Sequence, residues 1–447
     1  MDKKVVAIIG VIAVVVIAAI VVAVTGGDSE ETTTETSDMD YTDNPWTDGE
    51  DLSGTEVQIF GAFVDEDARR FRAALEPFIE ETGIQVEYEG SGDFESLITV
   101  RAEGGDPPDI ASFPQPGLMN DLYRQGHVYD IEEWFGMDYL QQQYDQDWID
   151  MSTVDGDIGG LWYRTNVKSL VWYVPSIFQE EGYEIPETWD ELLALSDQMV
   201  EDGYTPWSIA MESAGATGWV GTDWIEDIML RIHEPEVYDQ WIANDVEFDS
   251  PEVREAFDLL SEIWFNDDYV LGGTDSILTV PFGDGANPLL RDEPAALMHR
   301  QASFIQGFLP DGTEVGPDGD IDFFYLPRVD DDLGDPVLVA GDVMSAMADR
   351  PEVRAVLRFF STAEGTRGWL EQGGYVSPHE DVNFDWYPPI DRRYAEILDA
   401  ADTVRFDASD MMPGSVGTGT FWTGMVDWTS GDSLDNVLPA IDEGYIE

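Results

Sequence analysis

GTEVQIFGAFVDEDARRFRAALEPFIEETGIQVEYEG, residues 54–90, decides the fold. Its first ten residues alternate as a strand with one buried face. Between residues 65 and 83 the period changes from two to 3.6. Phe71, Leu75, Phe78 and Ile79 then share one helical face, and Gly83 supplies the stop. Ile84, Val86 and Tyr88 return to strand alternation. DFESLITVRAEGG (93–105) reads as a second helix and PPDIASF (107–113) as a third short strand with a loop behind it. Strand and helix in alternation imply an α/β domain on an open, mostly parallel sheet. Ligands of such sheets sit at the carboxyl ends of the strands, so the loops that follow strands are the places to look.

Further along, TWDELLALSDQMVEDG (188–203) carries Thr188 and Glu191 at capping-box spacing, with Leu192, Leu195 and Met199 as a core stripe. DPVLVAGDVMSAM (335–347) reads as two short strands around Gly341 and Asp342. A helix over 351–363 follows, with Pro351 in its first turn.

The 447 residues include 93 Asp+Glu against 21 Lys+Arg, a formal net charge of −72. Only three of the basic residues are lysines: Lys3, Lys4 and Lys168. Nucleic acid needs a basic surface, which this composition excludes. In dilute buffer such a charge repels itself, whereas at about 1 M salt the Debye length shrinks to roughly 3 Å. The composition therefore implies adaptation to concentrated salt. With no cysteine, disulfides, thiol catalysis and Cys-ligated metals are excluded.

After Lys3 and Lys4 comes an uncharged apolar run, Val5–Val24. It is long enough to cross a ~30 Å hydrocarbon core and longer than a signal-peptide apolar region. Residues 1–27 are expected to form an uncleaved transmembrane anchor with the lysines inside the cell and the remainder outside. Residues 28–51, rich in Thr and acid, are expected to be an extended tether.

No GxSxG, Walker loop, HExxH or GxGxxG motif is present, and the four histidines show no metal-ligand spacing. DGDID (318–322) has a faint likeness to a calcium loop, but with so many carboxylates acidic clusters arise by chance. No metal, cofactor or catalytic residue is expected. Aromatic residues beside glycine and small polar residues say more, above all TGWVGTDWIED (217–227), read as loop. A Trp face offers apolar area with an N–H at its edge. Sugar rings present flat C–H faces bordered by hydroxyls that suit carboxylates and amides.

Four stretches resemble the extracellular solute-binding proteins of ABC importers, in the maltose-binding-like family. They are PPDIASFPQPGLMNDLYRQGHVYDIEEW (107–134), NVKSLVWYVPSIFQEEGYEIPETWDEL (166–192), TPWSIAMESAGATGWVGTDWIEDIMLR (205–231) and RFDASDMMPGSVGTGTFWTGMVDW (405–428). PDIASFPQPG and the Trp-rich stretch look most like the α-glucoside-binding members. The resemblance implies a periplasmic-binding-protein-like fold of two α/β lobes, one formed by 52–172 plus 342–390 and the other by 173–341 plus 391–447. The hinge would be crossed near residues 172, 341 and 385–395. Ligand would bind between the lobes and be enclosed by hinge closure, and the closed form, a monomer, would dock on a membrane permease. Carried over residue by residue, the resemblance implies ligand contacts from Gln115, Trp219, Trp224, Asp342 and Trp422, with Asp223 holding a hydroxyl or shaping its segment. MHRQASF (298–304) departs from the family pattern: Phe304, still expected to contact ligand, stands where Trp is usual, and Gln301 and Ala302 replace glycine. The expected function is capture of an α-glucoside or related oligosaccharide. The alternative is capture of a cationic solute such as betaine or a polyamine by an aromatic cage, and a surface glycan hydrolase is the third possibility.

Overall fold

The computed structural model describes residue 41 and residues 44–445. Strand β1 (Glu56–Gly61), helix α1 (Asp65–Thr82), strand β2 (Gln85–Gly90), helix α2 (Phe94–Gly104), strand β3 (Ile110–Phe113) and helix α3 (Pro116–Arg124) follow the expected alternation. On α1, Phe71, Leu75 and Phe78 are buried. Each such side chain contributes about 1.5–3 kcal/mol. Gly83 ends the helix in the left-handed region at φ 70°, its N–H donating to Ile79 O.

The sheet is mixed rather than mostly parallel. β2, β1 and β3 are parallel neighbours. Strand β8 (Pro336–Ala346) lies antiparallel to β3 and to β4 (Leu161–Val167), while β9 (Thr403–Phe406) is parallel to β8. A second sheet is wholly antiparallel, with β5 (Leu170–Tyr173) between β6 (Met298–Arg300) and β7 (Asp322–Tyr325). Alternating hydrophobicity marks a strand but not its direction, so these antiparallel pairings could not be read locally. β8 is also one strand, not two short ones. A register shift between Asp342 and Val343 absorbs the break that the Gly-Asp pair suggests.

The helix Trp189–Asp202 begins with the expected capping box: Thr188 accepts from Glu191 N, and Glu191 accepts from Thr188 N. The segment expected as one helix over 351–363 divides into Pro351–Phe360 and Ala363–Leu370, the second capped by Thr362. The expected anchor and most of the expected tether lie outside the described residues. Among the described residues no helix is long and apolar enough to cross a membrane. The end of the expected tether is not free. Trp46 is buried edge-on against Phe359 and donates from its indole to Glu81 at 3.2 Å. One aromatic side chain is enough to seat that stretch.

Candidate functional site

TGWVGTDWIED is helix rather than loop: α4 spans Trp219–Ile232. Gly218 precedes it at φ 129°, a conformation that disfavours a side chain. A Cβ there would also stand 2.4 Å from Trp422 O. Glycine thus starts the helix and lets α4 approach the backbone of Trp422. Gly221 likewise leaves room for Met425 and Met211, so glycines that serve packing make the segment imitate a loop in sequence.

A helix separates what a loop could have joined. Trp219 and Trp224 are five positions apart, so they point about 140° apart around the axis, whereas Asp223, four positions on, shares the face of Trp219. Trp219 and Asp223 line a cavity of about 190 Å³ between the carboxyl end of β3, the middle of β8 and α4. Trp224 does not line it. At 1% exposure it packs on Trp207 and Trp264, with the Arg300 guanidinium over its ring. The expectation that Trp224 contacts ligand is corrected by helical geometry. Of the other expected residues, Gln115, Phe304, Asp342 and Trp422 all line the same cavity. Trp162, Trp207 and Trp428 are core residues.

One wall is aromatic. The Trp219 ring lies 5.2 Å from Phe282 and 5.9 Å from Phe304, and Phe308 is 5.2 Å from Phe282. Phe304, standing where the family usually has Trp, still supplies a ring. Two buried cations, on β4 and just beyond it, also line the cavity. Arg164 forms an ion pair with Asp342 at 2.9 Å, has Asp67 at 3.7 Å and lies over the Phe63 ring. Lys168 donates to Asp223 at 2.7 Å, also contacts Asp407, and sits 5.4 Å from the Trp219 ring centre. Asp223 and Asp342 therefore serve first as counterions that hold the cavity walls.

Burial raises the Asp342 carboxyl to about 6, against the pull of Arg164. It raises Asp223 to about 7, with Lys168 opposing and Asp407 adding. For Lys168, burial disfavours the charge, but Asp223 and Asp407 outweigh it and the ammonium is held above its ordinary range. Asp223, Glu226 and Asp407 converge to within 4.8 Å, a grouping able to hold a cation, and the Lys168 ammonium supplies positive charge there. The DGDID segment has another use: Asp320 accepts from Glu314 N at 2.9 Å and closes its turn.

Sequence reasoning missed Glu95, Arg164, Lys168, Phe282, Phe308 and Asp410, all on the cavity wall. Lys168 carried a signal, as the one lysine beyond position 4 in a chain that otherwise uses arginine. Glu95 carried none. It accepts from Gln115 Nε2 at 3.1 Å, and burial raises its carboxyl to about 7 from an ordinary 4.5. Between pH 4.5 and 7 the folded protein retains a proton that the unfolded chain releases. This carboxyl thus lends stability below pH 4.5 that is lost as pH rises to 7. Glu95→Gln should flatten that part of the profile and raise the melting temperature at pH 8 relative to pH 5. Thermal melts at both pH values check this; parallel profiles for the two proteins would refute it.

Residues 63–367 match the family of bacterial extracellular solute-binding proteins. The chain is 44% identical over 391 residues to the osmoprotective compounds-binding protein GgtB of Synechocystis sp., covering 87% of this chain and 92% of that protein. It is 40% identical over 412 residues to the alpha-glucosides-binding periplasmic protein AglE of Rhizobium meliloti, covering 89% and 88%. Among solved structures, the bacterial solute receptor AcbH superposes with a TM-score of 0.77 at 18% identity, covering 88% of this chain and 98% of that one. A chitin oligosaccharide binding protein gives 0.74 at 17%, covering 88% and 99%. These two similarities establish an α/β periplasmic-binding-protein-like fold and no more. The family match and the two relatives lead to one assignment: the chain belongs to the bacterial extracellular solute-binding proteins of ABC transporters, and it binds its solute without converting it.

Proposed function

We propose that the protein captures an α-glucoside or related oligosaccharide between two lobes and delivers it to a membrane permease. The observation that carries this reading is the cavity itself, lined by the rings of Trp219, Phe282, Phe304 and Phe308 together with the amide of Gln115 and the carboxylates Glu95 and Asp410. Apolar rings suit the C–H face of a sugar, and the acceptors and donors beside them suit its hydroxyls. The relative AglE, named for α-glucosides, supports the same class.

The two lobes have boundaries at 52–172 plus 342–390 and 173–341 plus 391–447. β9, from the last of these segments, pairs with β8 and brings that segment back to the first sheet at the crossing. Closure traps ligand to the extent that the closed state binds it better than the open state. Residues 1–27 anchor the monomeric protein to the membrane with the binding domain outside the cell. The net charge of −72 suits it to concentrated salt.

A cationic solute is the second reading, because a specific feature favours it. The cavity wall carries Asp67, Glu95, Asp223, Asp342 and Asp410 against Arg164 and Lys168, beside rings that could cage a quaternary ammonium. The relative GgtB, named for osmoprotective compounds, is compatible with that choice. Titrating maltose, trehalose, sucrose and glycine betaine into the folded protein in multimolar salt, followed by tryptophan fluorescence, decides between them. Saturable quenching by an α-glucoside is expected. A response to betaine alone would replace the sugar class with the cationic one.

A further inference from the structure

We infer that Asp223, Glu226 and Asp407 form a buried Ca²⁺ site that ties α4 to the segment beyond β9, behind the wall of the solute cavity. Such a site would be the same whichever solute the cavity takes.

Five carboxylates meet in this region, those of Asp223, Glu226, Asp227, Asp407 and Asp410, and all are buried. Three cations answer them. Arg231 and Arg300 pair with Asp227, and Lys168 pairs with Asp223 and Asp407. Five against three leaves a surplus of two negative charges. Charge taken out of water is costly unless it is paired. Burial, with Asp407 adding, accordingly raises the carboxyls of Glu226 and Asp410 well above their ordinary range. One divalent cation would cancel the surplus.

The oxygens show where it would stand. Each of the three carboxylates has one oxygen engaged by the protein and one left over. Lys168 donates to Asp223 Oδ1 and Asp407 Oδ2, and Ser409 N donates to Glu226 Oε1 at 2.9 Å. Asp223 Oδ2, Glu226 Oε2 and Asp407 Oδ1 are buried and find no hydrogen-bond donor among the described residues. The nearest cation to Asp223 Oδ2 is the Arg300 guanidinium at 3.5 Å, long for a hydrogen bond. Carboxylates cannot satisfy one another unless a proton or a cation stands between them.

Each of the three side chains brings an oxygen to within 4.8 Å of the others. With Ca–O bonds of ~2.3–2.6 Å, two oxygens on opposite sides of one ion stand about 5 Å apart, so the carboxylates need not move to share it. Mg²⁺, with bonds of ~2.0–2.1 Å and a near-octahedral demand, needs a tighter set. Donors that are all oxygen suit a hard cation of this kind. Asp223 and Glu226, three positions apart, lie on one face of α4. Asp407 arrives from a distant part of the chain, so no local motif announces the site. Asp223 lines the solute cavity but Glu226 and Asp407 do not, which puts the ion behind the wall and out of the solute's reach.

The test starts from protein freed of divalent ions by a chelator and folded in multimolar potassium chloride. It is melted with added CaCl₂, MgCl₂ or NaCl, and Ca²⁺ is titrated calorimetrically. Ca²⁺ is expected to raise the melting temperature saturably, with one tight ion per chain, and Mg²⁺ to do so less. Glu226→Gln and Asp407→Asn keep the side-chain shapes and remove a ligand charge. Each should lose the tight ion and its thermal shift, and the comparison subtracts weak binding by surface carboxylates. Circular dichroism identifies which variant is folded, and either one suffices. A Ca²⁺ shift that survives undiminished in a folded variant overturns the site. So does the absence of a Ca²⁺ shift in the unaltered protein, or an equal shift with Na⁺; protons or a monovalent ion then carry the surplus.

Discussion

Lys168→Ala is expected to lower the stability of the folded protein by about 3–5 kcal/mol, the loss typical of removing one partner from a buried ion pair. The ammonium is almost wholly enclosed, 2.7 Å from Asp223 and in contact with Asp407, with Glu226 and Asp410 adding to the negative field. Truncation leaves these carboxylates facing one another in a low dielectric. The effect is read from the midpoint of denaturant unfolding in multimolar salt, where surface repulsion is screened and the buried cluster is not. Combining Lys168→Ala with Asp407→Asn should recover part of the loss, since it removes an orphaned charge. A loss under about 1 kcal/mol for the single variant would show that the cluster does not depend on this cation.

The second large effect separates two tryptophans that look equivalent in sequence. Trp224→Ala should cost about 3–5 kcal/mol of stability, the range for deleting a large core side chain. Trp219→Ala should instead weaken ligand binding by about 1–2 kcal/mol or more, as for an aromatic anchor, with a smaller effect on unfolding. Trp224 is enclosed by Trp207, Trp264 and Arg300, whereas Trp219 is half-buried on the cavity wall. Chemical unfolding and ligand titration on both variants test the division. A binding defect in folded Trp224→Ala equal to that of Trp219→Ala would contradict it.

The fold brings together groups from distant parts of the chain. The Lys168 contacts to α4 and to Asp407 link residues far apart in sequence through one buried ammonium. Gly117 shows how tight such an approach can be: a Cβ there would lie 1.7 Å from Met412 O, so the start of α3 can meet the 412 backbone only as glycine.

The amino-acid sequence by itself determined the α/β alternation, the capping box at Thr188, the left-handed stop at Gly83 and the absence of a basic surface, because each depends on neighbours within one or two turns of chain. It also marked Gln115, Trp219, Asp223, Phe304, Asp342 and Trp422, which share one cavity. Tertiary structure alone decided strand direction, the joining of 336–346 into a single strand, and which Trp of 217–227 faces the cavity. Gly218, which marks a loop locally, is the residue that lets α4 meet the Trp422 backbone, so local composition misled. Glu95, Arg164 and Lys168 became visible only once folded. Their role comes from burial beside opposite charge or an amide, and burial is set by segments hundreds of residues away.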